Sequence, residues 1–133
     1  MKKAFLILLL YGTMAITHAW ADSSSIISVN VEIDSTAPKT RADYDNLWHN
    51  SDFVIDLTAA DTQSGAADIY YKINVGVVRS VKAAGQPLVS VEGSNNTLEY
   101  WSVDKAGNEE LPHNLLAAIK LDKTAPLVDI INH

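Results

Sequence analysis

Glu32-Ile33-Asp34-Ser35-Thr36-Ala37-Pro38 and Lys120-Leu121-Asp122-Lys123-Thr124-Ala125-Pro126 are one phrase written twice, offset by 88 residues at every position. A phrase that recurs at a fixed long period marks modules strung in tandem. This period fits one small β-domain, so the phrase reads as the seam between one module and the next. Pro38 and Pro126 fix φ and keep the alanine before each out of the helical region, which makes the seam an extended, stiff joint. One whole module is expected over 36–122. Residues 22–35 form a leading strand and linker before it, and 123–133 a tail or the start of a truncated second module.

Each seam follows a strand pattern. Ile27, Val29, Val31 and Ile33 alternate with Ser28, Asn30, Glu32 and Asp34, and Leu115, Ala117, Ile119 and Leu121 fall in one phase before the second seam. Leu, Ala and Lys in 115–121 also suit a helix, and position before the seam decides for strand. Inside the module, Asp43 to Ser51 reads as a polar loop carrying Trp48. Phe53, Ile55, Leu57 and Ala59 alternate with Val54, Asp56 and Thr58, and Ile69, Tyr71 and Ile73 alternate with Tyr70 and Lys72. Weaker strands are expected near Val77–Val81 and Leu88–Val91, and a further one over Thr97–Val103. Turn chemistry separates them at Asp61–Gly65, Asn74-Val75-Gly76, Gly85-Gln86-Pro87, Gly93–Asn96 and Asp104–Asn108. Six or seven short strands at such spacing describe an all-β, antiparallel sandwich.

The chain start reads as a secretory signal peptide over 1–21. Lys2 and Lys3 are followed by an apolar run from Ala4 to Ile16, and Ala19-Trp20-Ala21 offers a cleavage site before Asp22. The run is too short for a membrane span, so no transmembrane span is expected in the mature chain. Removing 21 residues from 133 leaves 112, enough for a single core. The chain has no cysteine, which excludes disulfide scaffolds, thiolate zinc sites and thiol nucleophiles. Without Lys2 and Lys3 it carries 8 basic against 16 acidic residues, a balance that opposes nucleic acid and anionic lipid. Export is expected, with a periplasmic, cell-surface or secreted destination.

Trp48-His49-Asn50-Ser51-Asp52, Leu57-Thr58-Ala59-Ala60-Asp61, Ser64-Gly65, Tyr70-Tyr71-Lys72-Ile73-Asn74 and Tyr100-Trp101-Ser102-Val103-Asp104-Lys105-Ala106-Gly107-Asn108 together resemble bacterial immunoglobulin-like repeat modules. These occur in tandem in large exported proteins and in leptospiral outer-membrane surface proteins, and the Asp-Xaa-Thr-Ala-Pro seams belong to the same pattern. The resemblance implies an Ig-like β-sandwich of about seven strands used for display, spacing, adhesion or as an accessory to an enzyme. It carries no shared catalytic residues. This chain departs from the pattern at Asn74-Val75-Gly76, where such modules usually have Gly-Gly or Asn-Gly. Its single module, where arrays are usual, is that of a minimal or truncated member.

Two residue sets bear on function. In an Ig-like topology Asp34 or Asp43, Asp61, and Asp104 with Asn108 gather at one pole, a set of hard oxygen ligands suited to Ca²⁺. The same residues are also those tight turns demand, so both readings stand. Tyr70 and Trp101 fall on the outer phase of their strands, where they offer a ligand platform, whereas Tyr71 and Tyr100 face inward. His49, His113 and His133 flank no Gly-Xaa-Ser-Xaa-Gly elbow, so no enzyme is expected. A protein or glycan at the cell surface is the expected partner. The leading strand Ile27–Ile33 folds back on its own module or adds to another chain by β-augmentation. A carbohydrate-binding accessory module using its surface aromatics is the alternative function.

Overall fold

A computed structural model describes residues 13–20 and 23–127, with side-chain surroundings from Val29 onward. The start of the expected leader, its cleavage point at Ala21–Asp22 and the tail from residue 128 lie outside the described residues. The backbone divides into two units, Met1–Ser35 and Thr36–His133. In the first, β1 (Thr13–Trp20) and β2 (Ser23–Glu32) pair antiparallel, from Trp20 opposite Ser23 to Thr13 opposite Glu32. The alternating segment Ile27, Val29, Val31 therefore lies on a strand, and the strand beside it comes from the stretch read as the leader's end.

The second unit carries β3 (Lys39–Asp43), β4 (Trp48–His49), β5 (Phe53–Val54), β6 (Asp56–Ala60), β7 (Ala66–Ile73), β8 (Arg79–Ser80), α1 (Val81–Ala84), β9 (Leu88–Val89), β10 (Gly93–Asp104) and β11 (Asn114–Leu121). Five strands form one sheet in the order β4-β11-β10-β7-β8, antiparallel except for the parallel pair β4 and β11. The strand pairs β3-β6 and β5-β9 lie along a single run of chain interrupted at Ile55. The ladder there continues without strand pairing. Ile55 N donates to Pro87 O at 3.0 Å, and the Gln86 amide accepts from Leu57 N at 2.9 Å and donates to Leu57 O at 3.0 Å. A side chain thus satisfies buried backbone groups that β9 is too short to reach.

Alternation sets the core. Ile55, Leu57 and Val89 meet Tyr71, Leu98, Ile119 and Leu121 in one buried cluster, with Phe53, Ile69, Ile73, Tyr100 and Leu116 packed around it. Val54, Asp56 and Thr58 face out, as their phase requires. The architecture is all-β and compatible with a sandwich. Burial of such side chains contributes roughly 1.5–3 kcal/mol apiece.

Three elements differ from the sequence reading. In β11 the inward phase changes midway: Leu116 packs on the core while Leu115 is exposed, and beyond Ala118 the buried residues are Ile119 and Leu121. Leu98 pairs with Leu116 but Asn96 with Ile119, so β11 carries one extra residue, a β-bulge. Ala118 absorbs it at φ 57°, the left-handed region. The expected Val77–Val81 strand shrinks to Arg79–Ser80 because Ser80 caps a helical turn. Its side chain accepts from Ala83 N at 3.2 Å and donates to Asp68 Oδ2 at 2.6 Å. The expected turn at Gly93–Asn96 is instead the first part of β10, where register shifts again mark irregular pairing.

One buried acid ties the unit together. Glu110 is 3% exposed. Its two carboxylate oxygens accept from Thr40 N at 3.1 Å each, and Oε2 accepts from the Thr40 hydroxyl at 2.6 Å. Thr40 Oγ1 also lies 2.7 Å from Ser102 Oγ, and Glu110 N donates to Ser102 O at 2.9 Å. This links β3 to β10, strands of different sheets. Burial works to raise the Glu110 pKa, but the bonds from Thr40 and Asn114 and the charge of Lys39 outweigh it and hold the carboxyl below its ordinary 4.5.

Glu110→Ala is expected to cost about 3 kcal/mol in urea unfolding, since it strands the Thr40 N–H without its acceptor. In a double-mutant cycle, Thr40→Val should cost much less once Glu110 is gone. A carboxyl whose pKa falls on folding adds stability above its unfolded value and loses it as pH drops through the folded value. Tm should therefore fall with acidification below about pH 4.5 in the wild type, and more shallowly in Glu110→Gln.

Candidate functional site

The outer face of the five-stranded sheet carries the chemistry. Tyr70 on β7 and Trp101 on β10 are direct cross-strand partners, so both rings stand on that face while Tyr71 and Tyr100, paired beside them, point inward. The rings of Tyr70 and Trp101 stack at 5.9 Å between centroids, 22° apart. His113, in the loop after β10, lies on the other side of Trp101 at 3.9 Å and 1°. Trp101 is only 9% exposed as a result. It sits on the outer face that alternation assigns it, but as the filling of a stack and not as an open platform. Tyr70 is half-buried.

Both His113 nitrogens meet carboxylates, Nδ1 at 2.9 Å from Glu99 Oε1 and Nε2 at 2.8 Å from Glu109 Oε1. Glu99 also pairs with Lys72, directly opposite on β7. Two acceptors suit an imidazolium, which donates from both nitrogens. Burial opposes that charge, yet the bonds to Glu109 and Glu99 prevail and raise the His113 pKa above 6.5. Glu99 is held below its ordinary 4.5, chiefly by the bond from Lys72 and then by His113. Beside this row, exposed Leu111 and Leu115 flank Pro112 in a shallow depression. Sequence reading missed His113 and Glu110. The only signal available was the crowding of Glu109, Glu110 and His113 within one short loop.

The acidic turns are built locally. Asp61 Oδ2 accepts from Gly65 N at 2.6 Å and Gln63 N at 3.2 Å. Asp104, 2% exposed, accepts from Asn108 N at 2.8 Å through Oδ1 and from Asn108 Nδ2 at 2.7 Å through Oδ2. Gly107 takes φ 92° in that turn, a conformation open to glycine. Lys105 N donates to Gly65 O at 3.1 Å, joining the two turns. Carboxylate oxygens of Asp61 and Asp104 lie within 4.8 Å of each other, and Asp61 Oδ1 is buried with no hydrogen-bond partner. Asp43 does not belong here. It ends β3 opposite Asp56, at the far end of the strand from the Lys39–Ala60 pair. Asp34 falls in the other unit, Met1–Ser35, beyond the end of β2.

Searched against protein-family models, curated proteins and solved structures, the chain finds no match.

A histidine whose pKa rises on folding adds stability that is complete below its unfolded value and is lost as pH climbs through the folded value. Tm is expected to fall as pH rises from about 6 to about 8, and His113→Gln should flatten that slope. A wild-type profile that is level across this range would remove the imidazolium assignment.

Proposed function

We propose that the chain is an exported, non-catalytic Ig-like β-sandwich module that acts by structure and contact, in display, spacing or adhesion at the cell envelope. The observation that carries this reading is how the described polar groups are used. Asp104, Glu110, Glu99 and His113 are each engaged by neighbours within the unit, while apolar Val75, Val77, Val78, Leu88 and Val91 face solvent. Polar groups engaged within the unit and apolar side chains turned to solvent are what a contact module needs. Seam geometry supports spacing. Asp122 N donates to His49 O at 2.9 Å, Lys123 N to Glu92 Oε1 at 2.6 Å, and Lys123 Nζ pairs with Asp52 at 3.0 Å, so the second seam leaves the module under tether. Among the described residues no helix is long and apolar enough to cross a membrane.

The alternative, a carbohydrate-binding accessory module, rests on Tyr70 and Trp101. Stacking by Tyr70 and His113 covers both faces of Trp101, so a sugar would have to displace one of them. Calcium at the acidic turns is supported by the unpartnered Asp61 oxygen close to Asp104.

Export predicts that the full-length chain expressed in bacteria is recovered outside the cytoplasm with Asp22 as its first residue, by intact mass; cytoplasmic, unprocessed protein would overturn it. Trp101→Ala should lower Tm by several degrees without changing retention on polysaccharide columns; lost retention at unchanged Tm would favour the sugar reading. Millimolar calcium should raise Tm over chelator in the wild type but not in Asp61→Asn; equal midpoints would reduce the acidic pair to turn chemistry alone.

A further inference from the structure

The second unit is left open along one side. Its large sheet ends in β8 and the β5-β9 pair ends in β9, each only two residues long. Among the described residues neither pairs on its outer side. Between them runs a groove of about 430 Å³, floored by Tyr71 and Ile73 and rimmed by Val77, Arg79, Gln86 and Leu88. Val77 is 70% exposed and Leu88 51%. Unpaired backbone edges over an apolar floor are a template for one more strand.

A strand with the required pattern exists in this chain. Ile27, Val29, Val31 and Ile33 would present one apolar face, with Ser28, Asn30 and Glu32 on the other. Its Ile27–Glu32 part is held in β2 by pairing with Thr13–His18. On the export reading, cleavage after Ala21 removes β1 entirely and leaves β2 with a full row of unmatched N–H and C=O groups. Charge agrees as well. Arg79 borders the open edge and makes no ion pair among the described residues, while the strand carries Glu32 near its end.

We propose that the groove between Arg79–Ser80 and Leu88–Val89 receives the Ile27–Ile33 strand of a second copy of this chain. The exchange rests on the export reading, because the leader's removal is what frees the donor. Before cleavage β1 occupies the donor strand, so assembly waits for export. The acceptor's apolar floor takes Ile27, Val29 and Val31, and Arg79 meets the acidic end of the strand. Heterologous strand addition of this kind either closes into a ring of copies or extends as a filament.

The test exploits a chain without cysteine. Full-length Ser28→Cys and Ser90→Cys variants are expressed with export, recovered, mixed and oxidised, while intact mass reports whether the leader is gone. The expected result is a disulfide-linked species at about twice the monomer mass, formed from the mixture and reduced to about a tenth by Val31→Asp or by Leu88→Asp. Circular dichroism melts on both charge variants confirm that the acceptor still folds. A processed chain that stays monomeric overturns the strand exchange and spares export. An unprocessed chain that still cross-links keeps the strand contact but overturns both export and the gating of assembly by cleavage, and an unprocessed monomer sinks export and the exchange together. Cross-linking only within a Ser28→Cys/Ser90→Cys single chain would show self-closure and overturn exchange between copies.

Discussion

A carboxylate with no room to be wrong organises the second unit. Glu110 is buried, carries charge, and accepts three hydrogen bonds from Thr40. Such a group is a poor source of net stability, since its desolvation offsets much of what the bonds return. Its value lies in specificity. Only one register of β3 brings the Thr40 N–H and hydroxyl to the acid together, and that register puts Lys39 opposite Ala60 and Thr40 opposite Ala59. A slip by one residue would turn Thr40 outward and leave the charge unmet. Pro38, two residues before it, is also fully buried.

The five-stranded sheet uses its two faces differently. Inward, Tyr71 and Tyr100 stand opposite each other within and beside the core; outward, Tyr70, Trp101 and His113 form a stack bordered by Lys72, Glu99 and Glu109. Adjacent residues thus supply both layers, which is the period-two geometry of a strand at work. The outer row is ionic and partly solvated, so it tunes stability with pH while contributing modestly to it. The open edge has the opposite character: apolar, short-stranded and without paired charge among the described residues.

Strand phase was the legible part. Phe53 to Ala59 alternate in sequence and in burial, Ile69, Tyr71 and Ile73 pack in or against the core as their shared phase requires, and Tyr70 and Trp101 fall on the outer face. Period two says nothing about where a period is broken. Leu115 and Ala117 share a phase with Ile119 in the sequence, and only the bulge at Ala118 puts Leu116 inward instead. Val77–Val81 has strand composition, yet a Ser80 cap backed by Asp68 wins locally. Tertiary polar contacts were the least legible: Thr40 and Glu110 are separated by 70 residues, and nothing in local composition pairs them. The bonds of Asp61 and Asp104 to their own turns were readable, because Asp, Asn and Gly impose them within a few residues. Whether two such turns approach each other depends on topology, which local composition does not encode.

The parallel contact between β4 and β11 has a mechanical consequence. Trp48–His49 lies near the start of the module and Lys120–Leu121 at its end, and they run side by side in the same direction, extended by the Asp122 to His49 bond. Tension that reaches β4 beyond β3, and β11 from its far end, would drag these strands past each other lengthwise, loading their bonds at once and not one by one. A zipper opened from its end yields tooth by tooth, but one pulled along its length holds until all teeth fail together. A tether built on this joint would resist drag up to a threshold and then give way abruptly.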